Sequence, residues 1–136
     1  MDPAASKALF DEAVETMRGR RMFQDGGVVI ESATFPDLVL DLPHPTGGRR
    51  RFRVRADDWD EQPPSVQPID ANGNAVHGEP SGGFWTGLNS GWGLCKVGTR
   101  EYHRHHTENP WEAHRAKTGL DTIVTRLMAS YRASAG

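Results

Sequence analysis

The chain has 136 residues, 25% of them charged and 36% hydrophobic, which suits one globular domain with a real core. Its formal net charge of -2 speaks against a dedicated nucleic-acid binder. One cysteine excludes an intrachain disulfide and fits a reducing compartment, and no apolar run approaches the roughly 18 residues of a membrane span.

The opening stretch, MDPAASKALFDEAVETM, lacks the basic start and apolar run of a signal peptide, so a cytoplasmic location is expected. Asp2 and Pro3 read as a helix start, a capping carboxylate followed by proline at the first helical position. Leu9, Phe10, Ala13, Val14 and Met17 then fall on one stripe, predicting a helix over residues 3–18. GGVVIES and PDLVLDL are short and rich in Val, Ile and Leu, as strands are. After the turn HPTGG, RRRFRVR alternates strictly, with Phe52 and Val54 on one face and Arg49, Arg51, Arg53 and Arg55 on the other. The arginine face reads as solvated, although it could also meet an acidic partner.

DDWDEQPPSVQPIDANGN comes next as a Pro-rich approach, a short extended piece and an Asn-Gly turn. Residues 77–117 hold much Gly, Pro, Trp and His with little periodicity, a length of loop that usually serves function. The last segment is periodic again: Thr118 as cap, Asp121 three residues on, and a stripe of Leu120, Ile123, Val124, Leu127, Met128 and Tyr131 predict a helix over residues 119–132. The expected fold class is α+β, an antiparallel meander of about four strands between N- and C-terminal helices, in a single domain over residues 1–136.

GLCKVGTREYHRHHTENPW, residues 93–111, carries the sole cysteine and three of the six histidines. Zinc takes thiolate, imidazole and carboxylate ligands, usually four. If EYHRHH is extended, its period of two sends Glu101, His103 and His105 to one side, and Gly98 lets the chain fold back toward Cys95. His106 replaces His105 in that set if the segment coils, because positions 103 and 106 share a helical face. The competing chemistry makes Cys95 a nucleophile, with His103 or His105 as base or pKa-lowering neighbour and Asn89 as an oxyanion donor.

The order of elements resembles the ubiquitin-conjugating enzyme fold. Pro63 and Pro64 stand where that family's Pro-Pro pair ends the meander, Gly93 and Cys95 at its Gly-x-Cys step, and Trp111 ahead of the helix from Leu120. The family's His-Pro-Asn tripeptide is missing: His77 precedes Gly78, and Asn89 is left as the available substitute. The His-rich insertion is similar to a bacterial family of predicted metal-binding proteins named for Cys, Glu, His and His (CEHH), whose genes accompany those for ubiquitin-like proteins and their activating enzymes. Cys95, Glu101, His103 and His105 match that pattern, EYHRH being its most specific piece.

These resemblances imply two alternatives. In one, Cys95 accepts a ubiquitin-like protein as a thioester from an activating enzyme and transfers it. In the other, the same fold is a non-catalytic zinc-binding accessory module. They compete for one sulfur, since a zinc-bound thiolate is the weaker nucleophile. Neither requires nucleic acid or membrane.

Overall fold

Phe10, Val14 and Met17 recur at helical spacing, and in the computed structural model they form the buried face of α1, Pro3–Arg18. The structure describes residues 1–25, 27–76, 83–85 and 91–134. Pro3 occupies the start of α1 as expected, but the Asp2 carboxylate makes no capping hydrogen bond. Ser6, buried one turn on, instead ties α1 to the body by donating to the Trp59 carbonyl at 2.6 Å. A five-residue helix, α2 (Arg21–Asp25), leads toward the sheet.

Four antiparallel strands come next in sequential order: β1 (Val29–Thr34), β2 (Asp37–Pro43), β3 (Arg49–Arg55) and β4 (Ser65–Ile69). Period two decides what they bury. Leu38, Leu40 and Leu42 point inward from β2, and the register sets Leu40 opposite Phe52 and Leu38 opposite Val54. A register shift between Ile30 and Ser32 interrupts the pairing of β1 with β2. The β2–β3 connection turns through Gly47 and Gly48, both at positive φ.

α4 (Leu120–Ala133) covers the core with Leu120, Ile123, Val124, Leu127 and Tyr131, and Tyr131 meets Phe52 edge-on at 5.2 Å between ring centroids. Fully burying side chains of this size stabilises by about 1.5–3 kcal/mol each before chain entropy is counted. Thr118 does not cap this helix. It is buried, and Gly119 takes the cap position without any side-chain bond.

The arginine face of β3 proves to be internally matched. Arg49 pairs with Asp41, Arg51 with Glu31 and Arg55 with Asp37, while Arg53 donates to the Gly73 carbonyl at 3.1 Å. Acids spaced along β1 and β2 pair with three of its four arginines, and Arg53 is held by a carbonyl instead.

β4 is buried along its whole length because the short strand Gly93–Leu94 and the helix Arg100–His105, both part of the site below, pack beside it. The chain between β4 and those elements includes the expected Asn-Gly turn, with Gly73 at φ 83° and its N–H donating to the Asp70 carbonyl. No helix among the described residues is long and apolar enough to cross a membrane.

Candidate functional site

The site is built where β6 (Gly93–Leu94) ends and a six-residue helix, α3 (Arg100–His105), begins. β6 pairs with β5 (Phe84–Trp85), and Cys95 is held just past it, its N–H donating to the Gly83 carbonyl at 2.7 Å. Leu94 is fully buried and anchors the sulfur-bearing residue, while Cys95 itself is half-buried.

Thr99 organises the entry into α3. Its hydroxyl accepts from the Tyr102 N–H at 3.2 Å, capping the helix, and donates to the Leu94 carbonyl at 2.6 Å, tying that cap to the residue before Cys95. Pro63 and Pro64 fix the same helix from the other side through their carbonyls, which accept from Arg100 Nε at 3.2 Å and Arg100 N at 2.8 Å. Replacing Thr99 with alanine is expected to cost about 1–2 kcal/mol in urea unfolding, with serine restoring most of it.

EYHRHH is thus helical through His105 and not extended, and this rearranges the expected constellation. At 3.6 residues per turn Glu101 and His105 share a face, and His103 points elsewhere. His106 is the C-cap, with φ -113° and ψ 72°, so its ring leaves the helical path. Cys95 Sγ lies 3.6 Å from His105 Nδ1. Cys95, His105 and His106 each offer a ligand atom within 4.8 Å of the others. The coiled alternative is therefore the right backbone, but His106 joins His105 instead of replacing it.

His103 is committed elsewhere. Its Nε2 accepts from the Gly98 N–H at 3.0 Å, so the proton sits on Nδ1, which donates to the Asn109 carbonyl at 2.8 Å. Both ring nitrogens are used, and burial holds its pKa below the ordinary histidine value. It is a structural histidine that clasps the turn at Gly98 (φ 105°) to the loop after α3, with Trp111 and His114 against its ring.

Glu101 lies beneath the site and is fully buried. The Ser65 hydroxyl and the Val66 N–H, the latter at 3.1 Å, both donate to its carboxylate. A Cβ at Gly93 would run into this side chain, so glycine is required above it. Burial raises the Glu101 pKa, with the Ser65 and Val66 hydrogen bonds opposing. The Cys95 thiol is also raised, first by burial and then by the Glu101 charge, while Lys96 acts in the opposite sense.

Two rings orient His106. Tyr102 stacks on it at 4.5 Å, and His105 lies 4.5 Å away at a tilt. Its Nδ1 faces Glu108 Oε1 at 3.3 Å, which leaves Nε2 as the nitrogen turned to other work. Sequence reasoning gave Glu108 no role. Its signal was a carboxylate two residues after a candidate ligand. Asn89, the expected oxyanion donor, lies outside the described residues, as does His77. Trp111 is buried against Trp59 and donates through Nε1 to the Asp60 carbonyl at 2.9 Å, a packing role. No family model matches the chain, and no curated protein matches it in sequence.

Proposed function

We propose that this chain is a metal-binding module on a ubiquitin-conjugating-enzyme-like scaffold, in which Cys95, His105 and His106 hold one zinc ion. The observation that carries the reading is the 3.6 Å between Cys95 Sγ and His105 Nδ1 with His106 in the same group. Two atoms bound tetrahedrally to one zinc, at about 2.3 Å for sulfur and about 2.0 Å for nitrogen, stand about 3.5 Å apart. A thiolate with two imidazoles is a donor set that zinc accepts. Glu108 on His106 supplies the carboxylate that commonly orients a ligating imidazole. Among the described residues no fourth Cys, His, Asp or Glu joins the group. A bound ion would supply Lewis acidity at an open fourth position. The thiol must lose its proton to bind, so affinity rises with pH.

The scaffold reading is supported by an N-terminal helix, a four-strand antiparallel meander, a cysteine after the Pro-Pro segment, a buried tryptophan and a C-terminal helix, in that order. It keeps a second function in view, because Cys95 is partly exposed with an imidazole beside its sulfur. In that function the Cys95 thiolate attacks the thioester carbonyl of a ubiquitin-like protein carried by its activating enzyme. The tetrahedral intermediate then expels the activating enzyme's thiolate, leaving the new thioester on Cys95.

One experiment separates the two. Protein purified without a histidine tag is analysed for metal, then incubated with the activating enzyme, ATP and ubiquitin-like protein and run on a non-reducing gel. We expect close to one zinc per chain, lost in Cys95→Ser and in His105→Ala/His106→Ala. Metal-free wild type would overturn the module. A thiol-sensitive adduct absent from Cys95→Ala would establish transfer in its place.

A further inference from the structure

One residue beyond Cys95, Lys96 joins α4 in bordering a second feature that the metal reading does not use. It is an open cleft of about 730 Å³ lined by Gly83, Lys96, Val97, His114, Arg126 and Ser130, with Ala129 and Ala133 completing its wall. Among the described residues its polar side chains can all donate hydrogen bonds, and none is a carboxylate.

Several of the chain's arginines are matched by acids. Arg20, Arg55, Arg100 and Arg115 each meet an aspartate. Among the described residues neither Lys96 nor Arg126 has an acidic partner within ion-pair distance. Arg126 is half-buried and positioned, because one guanidinium nitrogen donates to the Val97 carbonyl, leaving the rest of the fork to face a ligand. The Lys96 stem is laid over Gly83, where a Cβ would stand 2.8 Å from Lys96 Cε and 3.5 Å from Ser130 Oγ. Gly83 sits at φ 98°, which glycine adopts readily, and the missing side chain makes room for that lysine. A chain of net charge -2 therefore gathers two unmatched cations and a hydroxyl in one concavity.

We infer that this cleft binds an acidic peptide segment, its carboxylates held by Lys96 and Arg126 and its aliphatic portions lying on Val97, Ala129 and Ala133. A free inorganic anion would satisfy the cations but leave that apolar wall bare. A peptide carrying Glu beside Leu covers both. The cleft wall begins at Lys96, one residue beyond Cys95 in the chain.

The test is fluorescence polarisation with fluorescein-labelled Glu-Leu-Glu-Leu-Glu, with pyrophosphate titrated separately and the lysine-substituted peptide as control. Expected is saturable binding of the acidic peptide alone. Lys96→Glu and Arg126→Glu should each weaken it by about tenfold or more. Arg21→Glu on α2 should leave it unchanged, and salt raised from about 50 to about 300 mM should weaken it. Lys96 is exposed, so its variant keeps the test decisive even if Arg126→Glu, which loses the Val97 bond, is unstable. Absence of peptide binding, binding of pyrophosphate only, or an equal loss in Arg21→Glu would overturn the inference.

Discussion

Glu101→Ala is expected to lower unfolding free energy by about 2–4 kcal/mol, a fall of about 10 °C in Tm for a domain of this size. The side chain fills the space under Gly93, and its removal leaves the Ser65 hydroxyl and Val66 N–H without that acceptor inside the protein. Glu101→Gln separates shape from charge. The amide oxygen can still accept from Val66, and the Ser65 hydroxyl can turn to accept from the amide nitrogen. The sign of the pH effect is set by burial, which raises the Glu101 pKa in the folded state. The folded protein then holds that proton more tightly than the unfolded chain does. The associated stability is full below the ordinary glutamate value and is lost as pH rises through the elevated folded value. Glu101→Gln has no proton to lose there, so its stability should be flat across that window and exceed wild type above it. Urea titrations at pH 4, 6 and 8 measure this. A Glu101→Gln profile parallel to wild type would show that Glu101 does not set the pH dependence.

The fold was legible where burial imposes a period. α1 and α4 carry stripes long enough to declare a helix, and β2 and β3 alternate without interruption, so their boundaries fall within a residue or so of the expected ones. α3 was not legible in that way. At six residues it is shorter than two turns, and EYHRHH offers charged and aromatic groups on every side, so helical and extended readings place similar side chains toward Cys95. The informative signal was local: Thr99 as cap, Glu101 in the first turn and basic residues in the last, each favourable to the helix dipole.

The helical backbone explains why the grouping differs from the extended reading. Period two joins Glu101, His103 and His105, whereas a helix with an irregular exit at His106 joins His105 and His106 and sends Glu101 into the core. Sequence spacing also could not show that Gly98 and Asn109 would occupy both nitrogens of His103, since that clasp depends on how the loop after α3 returns.

Alkylation of Cys95 by iodoacetamide should fall about a hundredfold when zinc is present at a hundred times its Kd, because only about 1% of the thiol is then metal-free. Metal-free protein sets the baseline. Burial and the Glu101 charge hold the thiol above its ordinary value, so the rate should climb with pH through neutrality, toward a midpoint beyond that of a free cysteine. Glu101→Gln removes the second of these influences and should move the midpoint down. Lys96→Gln removes the opposing one and should move it up. His105→Ala decides between the two functions of the sulfur. If His105 is a ligand, the variant alkylates at nearly the metal-free wild-type rate and zinc no longer protects it. If His105 instead serves Cys95 as a base, zinc fails to protect even the wild type, and His105→Ala slows alkylation near neutral pH. The two results differ in both the zinc response and the direction of the variant's effect, so one set of rate-against-pH curves assigns the imidazole that stands 3.6 Å from the thiol.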